Sequence, residues 1–524
     1  MTVRFGRHAF ANVSGQILVS AIQVLMIPQY VRFIGIEAWG LFGFYLTVQG
    51  FAQMLDFGMS ATVNREMARA ATLPGVAART RNFMRTSELG YGAIGLAIGA
   101  ALFLAAPLIA DRWFRLTTLT PATVTVAVRL IAALTAVQWP MTFYQGALLG
   151  LNRHGLTNTV RVATTVVSAG GSVLLLARVS PTIVTFFAWQ VIVSTAQTAL
   201  VAVLVWRNLP KAATGTPPRV EWSTVRGVTR FASGMMALTI AGAVFSQIDR
   251  VVLMRLVALQ QFGYFTLGAV AGQGLNTMVS ALFAAMFPTF SRLVAADDAA
   301  AIDAHYIQVS GIVTAVLVPI AAVVGLFSTD VIMVWTGSEI TARIAAPVAA
   351  LMVVGSALNG LMSVGYALQL ARGETGLALR IYTTLCVVAA PAAVVLARRY
   401  GIVGGALVWP LINLLYVLLA VRAGARWFPR QSPVASMVRA CVIPGTASVL
   451  AVWLLRMTMP MAGGRVFLLL QLGAAWLVAV AAAALVNPDL RTAALRYFRS
   501  RLRRPVTMAA FTTDAEAPVR KRKV

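Results

Sequence analysis

Acid is what this chain most lacks: 16 Asp and Glu stand against 43 Lys and Arg, and all charged residues together make up only 11% of the 524 positions. So little polar surface cannot coat a water-soluble globule of this length, and a mean hydropathy of +0.80 points to lipid as the solvent. The two cysteines, Cys386 and Cys441, lie in apolar runs and give no disulfide framework. His8, His154 and His305 are scattered singly, so no metal-ligand spacing exists. A phosphate-cradling glycine loop is also missing, and the chain is not expected to hydrolyse ATP.

What the chain does have is long apolar runs, each about twenty residues and so long enough to cross a bilayer as a helix. Fourteen are expected: 9–33, 39–60, 88–110, 122–150, 158–177, 183–206, 231–257, 262–290, 306–328, 343–370, 379–397, 402–421, 440–457 and 465–486. Arg4 and Arg7 before an apolar run have the form of a signal peptide. That run, however, is about 25 residues long and contains Asn12, Gln16 and Gln23, so an uncleaved first span is expected.

A net charge of +27 would suggest nucleic acid as the partner of a soluble protein. Here the placement of the charge matters more, because Lys and Arg are retained on the cytoplasmic side of membranes. With the N-terminus inside, 30 of the 43 basic residues fall in cytoplasmic segments and six (Arg112, Arg115, Arg178, Arg398, Arg399 and Arg456) fall outside. Both termini are therefore expected in the cytoplasm, and no nucleic-acid partner is expected.

The chain resembles itself at a shift of about 220 residues, as a repeat architecture would. Arg32 precedes Trp39-Gly40-Leu41-Phe42 much as Arg255 precedes Phe262-Gly263-Tyr264-Phe265. Arg161 with Thr164-Thr165 matches Arg380 with Thr383-Thr384, and Trp189 matches Trp409. Six spans per half is an even number, so both halves enter the membrane from the same side and should be related by an axis along the membrane normal. The expected fold is an all-α polytopic membrane protein of two six-helix lobes, 1–206 and 231–421. A cytoplasmic linker at 207–230 joins the lobes, two extra spans occupy 422–486, and a basic tail fills 487–524. Within the tail, Leu490, Ala494, Phe498 and Leu502 lie on one side among arginines, as in a helix resting on anionic lipid. The terminal Arg520-Lys521-Arg522-Lys523 reads as a solvated or lipid-associated charged end.

Polar side chains at membrane depth report what a helix faces. Asn12, Gln16, Ser20 and Gln23 form a stripe on the first span, Thr135, Gln138, Thr142 and Gln145 on the fourth, Gln273, Asn276, Thr277 and Ser280 on the eighth, and Asn359, Ser363 and Tyr366 on the tenth. A single stripe is explained by hydrogen bonding between helices. Four stripes in two lobes favour a hydrated cleft. Ionisable groups inside spans are Arg129, Asp249 and Arg250, with Arg32 and Arg255 near outer ends and Asp56 near an inner end. Arginine prevails among them, so the expected ligand is an anion, whose phosphate oxygens match the guanidinium fork.

Gly15-Gln16, the run Tyr30 to Gly35, Trp39-Gly40-Leu41-Phe42, Leu55-Asp56-Phe57-Gly58-Met59, Asn64-Arg65-Glu66 and Asp249-Arg250 resemble the polysaccharide flippases (Wzx-like) of the multidrug/oligosaccharidyl-lipid/polysaccharide exporter superfamily. The resemblance implies movement of an undecaprenyl-diphosphate-linked oligosaccharide from the cytoplasmic to the periplasmic leaflet of a bacterial inner membrane. It also implies a basic central cavity, alternating access with proton or sodium coupling, no cofactor, and polymerase and assembly proteins as partners besides membrane lipid. On that basis Arg129 and Arg250, with Arg255 and Arg32 at the rim, are expected to meet the diphosphate, and Gln16, Gln23, Gln138, Asn276 and Asn359 the sugar. Asp249 and Asp56 are the expected ion-coupling residues. The two spans beyond twelve resemble the lipid II flippase, which is one alternative. A multidrug exporter of organic cations is another, and expects acidic rather than basic in-span residues. A membrane glycosyltransferase or polymerase would need a carboxylate base or metal site in a sizeable outer loop, and the outer loops are short; no enzyme activity is expected.

Overall fold

In a computed structural model the described chain is helical apart from its connections and one isolated β-bridge between Arg115 and Ala258. The structure describes residues 2–54, 59–70, 77–210, 217–222, 242, 244–424, 435, 437–459, 463–487 and 491. Asp56, most of the linker, and the basic tail beyond Asn487 apart from Arg491 lie outside the described residues.

Among the described residues, ten helical segments are long and apolar enough to cross a membrane. They are formed by α4 (Ala77–Leu108, continued by a π turn to Trp113), α5 (Pro121–Gly150), α6 (His154–Arg178), α7 (Ile183–Asn208), α9 with α10 (Leu259–Gln273 and Leu275–Ala295), α11 (Ala299–Leu326), α13 (Glu339–Ala371), α14 (Thr375–Gly424), α15 (Ile443–Thr458, preceded by a π turn from Val438) and α16 (Arg465–Val486). Helices α1 (Thr2–Ile34), α2 (Ile36–Met54) and α8 (244–256) occupy the remaining expected spans. One segment, α14, holds two spans, because the chain reverses at Gly401, whose φ of 58° and ψ of −135° no residue with a Cβ adopts cheaply. Past the reversal, a Cβ at Gly404 would lie 1.9 Å from the Leu396 carbonyl oxygen, so the arms touch backbone to backbone.

Local chemistry fixes where several helices begin. Thr120 accepts a hydrogen bond from the Thr123 amide ahead of Pro121, Thr182 accepts from Thr185, and Ser338 accepts from Thr341. Each satisfies an amide that the first turn leaves without a partner. Two helices were not anticipated from the sequence. One is α3 (Met59–Ala70), in a stretch read as a connection: it buries Val63 and Met67 and turns Arg65 and Arg69 outward, and it lies so close to α5 that Gly146 and Gly150 meet the carbonyls of Ser60 and Asn64. The other is the short α12 (Ser328–Thr336).

The helices sort into two lobes, α1–α7 and α8–α14, with α15 and α16 packed on α11. One end of the bundle carries the connections near residues 35, 115, 258 and 337; the other carries those near 152, 297 and 373. At the first end a single buried apolar cluster runs through both lobes, from Trp39, Phe44 and Ile131 to Phe262, Phe265 and Ala345. At the second the cores part: Met67, Phe143 and Val205 belong to one cluster in the first lobe, Phe290, Leu317 and Val364 to another in the second. The molecule is clasped at one end and divided at the other, which bears Arg65, Arg69, Arg85, Arg153, Arg292 and Arg372.

The clasp depends on close approach of α2 and α9, the helices that the repeat pairs as equivalents. A Cβ on Gly263 would lie 2.0 Å from the Ile36 carbonyl, and one on Gly43 would lie 2.1 Å from the Thr266 hydroxyl. Small residues let two helix backbones meet where lipid supplies no hydrophobic drive.

Two cavities and a clasp

A cavity of about 380 Å³, within the range of small-molecule sites, lies mainly in the first lobe, with Val270 of α9 completing its wall. Its polar wall comes from stripes on four helices: Gln23 of α1, Gln138 of α5, Thr164, Thr165 and Ser168 of α6, and Gln190, Ser194 and Gln197 of α7. These amides and hydroxyls are tied together. Tyr45 donates to Gln138 Oε1 at 2.9 Å, Gln49 donates to the same oxygen at 2.6 Å, and Gln138 Nε2 donates to Ser194 at 2.9 Å. Ser168 donates to Gln190 at 2.8 Å, and Gln190 to Ser172 at 3.1 Å. Toward the clasped end the wall is aromatic, with Trp39 stacked on Phe42 at 4.3 Å between centroids and Phe186 edge-on to Phe42 at 6.0 Å. Trp39 is fully buried, and its indole N–H has no acceptor among the described residues.

The second lobe holds a cavity of about 270 Å³ lined by Ser280, Phe283, Asn359, Ser363, Tyr366, Tyr382 and Tyr416. Asn359 donates to Asn413 Oδ1 at 2.9 Å, and Asn413 donates to the Trp409 carbonyl, which fixes the amide that faces the cavity. Among the described residues, no carboxylate lines either cavity.

The expected phosphate ligands do not gather in one place. Arg129 is exposed on α5, its guanidinium 4.9 Å from the centroid of Phe103 on α4, and it lines neither cavity. Arg32 is exposed near the clasped end of α1. Arg255 donates to the Arg112 carbonyl at 2.7 Å and joins the lobes across the clasp. Arg250 is part-buried between lobes, donating to Gln273 Oε1 of α9 and to Gln247 at 3.5 Å. Asp249 beside it is 4% exposed; one carboxylate oxygen accepts the Arg250 amide, and the other has no hydrogen-bond partner among the described residues. Asp249 shares its helix stripe with Phe245 and Leu253, which pack on Trp409 and Gly405 of α14, so its carboxylate faces the second lobe. Of the amides, Gln23 and Gln138 line the first cavity and Asn359 the second. Asn276 is part-buried with Oδ1 unpartnered among the described residues, and Gln16 holds Arg161 of α6.

Three groups escaped the sequence reading as site or structural residues. Arg161 stands out in the sequence only as a repeat partner, although, like Arg129, it lies within an expected span, 158–177. Glu88 accepts from Tyr144, Trp206 and Arg85 and secures the divided end of the first lobe. Glu37, two residues ahead of the expected second span, is 4% exposed and accepts the amides of Thr117 and Thr118, both at 2.6 Å, that of Leu119 at 3.1 Å, and the Thr118 hydroxyl. It thereby positions the 114–120 loop, whose Arg115 carbonyl accepts the Leu259 amide of the other lobe at 2.9 Å. Trp335 of α12 adds a bond to the Val24 carbonyl of α1 at 3.0 Å.

Burial opposes the charge on Glu37, but the donors of Thr118 and Thr117 outweigh it and hold its pKa below the ordinary glutamate value. A depressed pKa means that this stabilisation is complete above the ordinary value and is lost only as pH falls through the depressed one. The clasp should therefore be insensitive to pH between neutrality and about 5. Glu37→Gln should loosen it by about 1.5–3 kcal/mol, the worth of hydrogen bonds to a charged group. Hydrogen exchange at Thr117–Leu119 checks this, with faster exchange in the variant as the expected outcome and an unchanged rate as the contrary one.

Two helical lobes joined at one end, divided at the other and each hollowed by a polar cavity define a membrane transporter fold. Residues 5–294, more than half of the chain, match the family model described as polysaccharide biosynthesis protein, and the chain belongs to that family. Among solved structures, the lipid II flippase MurJ in an inward closed conformation is similar over 95% of this chain and 99% of its own, with a TM-score of 0.64 at 11% identity. An inward-facing multidrug-resistance MATE transporter of the MOP superfamily is similar over 81% and 99%, with a TM-score of 0.60 at 12% identity. A point mutant of the Vibrio cholerae MATE transporter VcmN is similar over 80% and 96%, with a TM-score of 0.55 at 16% identity. No curated protein matches the sequence.

Proposed function

We propose that this protein is a flippase that carries a lipid-linked oligosaccharide, its lipid an undecaprenyl diphosphate, from the cytoplasmic to the periplasmic leaflet by alternating access. The observation that carries this reading is the make-up of the cavities: hydroxyls, amides and aromatic faces without a carboxylate among the described residues, which suits a sugar and gives an organic cation no counter-charge. A head group of phosphates and hydroxyls cannot cross about 30 Å of hydrocarbon unaided, because every polar group would lose water without replacement. The divided, arginine-rich end faces the cytoplasm in this reading, toward the leaflet where the substrate is made.

A potential negative inside drives two negative charges outward, contributing about 4–5 kcal/mol at 100 mV if they cross the whole field. Asp249, with its unpartnered buried oxygen, is the proposed proton or sodium site that resets the empty carrier. Under that assignment Asp249→Asn inserts normally but slows export about tenfold or more when an ion gradient is the sole driving force. Unaltered rates would remove Asp249 from the cycle. Export of a polysaccharide in a bacterium deleted for its own flippase tests the function itself. Restored polymer is expected, and normal insertion without restoration contradicts the reading. The lipid II alternative draws on the likeness to MurJ along nearly the whole chain, the two helices beyond twelve included, and predicts rescue of peptidoglycan synthesis instead.

A further inference from the structure

Arg161 sits seven residues into α6, about 10 Å from the divided end of that helix, with its guanidinium donating to the neutral amide of Gln16 on α1. An arginine at such depth is costly, and this one is only part-buried, with its side-chain hydrogen bond among the described residues made to an uncharged group. One turn further along α6, about 5 Å toward the clasped end, Thr164 and Thr165 line the first cavity; two turns further along α1 from Gln16, on the same face, Gln23 lines it too. Arg161 and Gln16 therefore lie one to two turns from the cavity's lining, on its side toward the divided end. Beyond them lie the amide and hydroxyl wall, and then the aromatic wall with the unpartnered Trp39 indole N–H.

We infer that the first lobe itself holds the head group: Arg161, oriented by Gln16, binds a phosphate oxygen beside the cavity, and the adjoining sugar ring enters the cavity against the part-buried ring of Phe42. The chemistry at each level matches that of a sugar diphosphate. A guanidinium offers a planar fork of donors to phosphate oxygens. Gln190, Ser194 and Gln23 exchange hydrogen bonds with hydroxyls. An aromatic face, negative at its centre, attracts the C–H bonds of a pyranose. The lipid tail has no place in a cavity of this size and stays in the bilayer. This inference rests on the flippase reading, and it moves phosphate recognition away from Arg129, Arg32 and Arg255, which lie on the exposed surface or in the clasp.

The test places a reporter in the cavity of the full-length protein in nanodiscs. Thr165→Cys suits this purpose, because the Thr165 hydroxyl bonds the Arg161 carbonyl of its own helix, and Cys386 and Cys441 are replaced by Ala in the same chain. Alkylation by a small water-soluble thiol reagent is timed with inorganic diphosphate, with polyprenyl diphosphate, and with polyprenyl-diphosphate-linked N-acetylglucosamine. The sugar-bearing lipid is expected to slow labelling about tenfold and polyprenyl diphosphate less, with inorganic diphosphate giving no protection at the same concentration. Arg161→Gln should raise the concentration needed for protection at least about tenfold, while Arg161→Lys recovers part of it. Equal protection by inorganic diphosphate would make this a free-anion site and overturn the inference. Absence of protection, or protection indifferent to Arg161→Gln, would overturn it as well. Flipping by the same chain in proteoliposomes separates the two failures: if flipping persists without protection, only the site is wrong, and if both are absent, the flippase reading falls with it.

Discussion

Gly263→Leu should force the clasped end apart. The first atom of the new side chain would lie 2.0 Å from the Ile36 carbonyl oxygen, backbone against side chain, with the Gly40 amide 3.3 Å away, so no rotamer relieves the clash. Overpacking usually costs about 1–3 kcal/mol where neighbours can shift; here a helix must move, and the adjacent bonds from Leu259 to Arg115 and from Arg255 to Arg112 must break with it. Spin labels at Arg32 and Gln261, both exposed at this end, report the separation of the lobes. One short distance is expected for the parent chain and a longer, broader distribution for Gly263→Leu, together with loss of transport. An unchanged distribution would mean that the clasp does not depend on the α2–α9 approach.

The second large effect concerns Arg250. Its removal leaves Gln273 Oε1 and Gln247 Oε1 without their donor and takes away the positive charge next to the buried Asp249 carboxylate. Arg250→Ala should therefore lower stability by about 1–3 kcal/mol for each buried group left unsatisfied. Adding Asp249→Ala should restore part of that loss, because the stranded carboxylate goes too; coupling between neighbours of this kind runs to about 0.5–3 kcal/mol. Thermal unfolding of the single and double variants in detergent decides it. A double variant whose loss equals the sum of the two single losses would show that the two side chains act independently.

The membrane spans and the two-lobed plan were legible because they follow from first-order physics: apolar length sets a span, and a parallel repeat of even span number sets the relation of the lobes. The finer breaks were less legible. Gly274 separates α9 from α10 inside one apolar run, and hydropathy cannot see a backbone interruption that changes no polarity. Helix α3 is hard to see in the sequence because its arginines mask a buried stripe of Val63 and Met67. Within the site, amide stripes carried direction: Gln23, Gln138 and Asn359 do line cavities, since a neutral polar side chain at depth has few other places to face. The arginines carried depth without direction. Arg129 and Arg161 are both arginines inside expected spans, the first about two turns in and the second less than one, yet one stacks on Phe103 at the exposed surface and the other meets Gln16 near a cavity. Long side chains reach water or a ring from many orientations, so position along a helix did not settle their role. Arg255 makes the same point at the clasp, where it bonds a carbonyl of the opposite lobe.

Movement of a sugar head group across the membrane is what a protein divided at its arginine-rich end and lined with neutral hydrogen-bonding groups should perform. Its most direct test is the purified protein in liposomes carrying polyprenyl-diphosphate-linked oligosaccharide, with the fraction of head groups accessible to an external sugar-modifying enzyme followed over time. The account predicts that accessibility rises well above that of empty liposomes, falls to background for Gly263→Leu, and is unaffected by organic cations. Accessibility equal to that of empty liposomes, from protein shown to be folded and inserted, would contradict it.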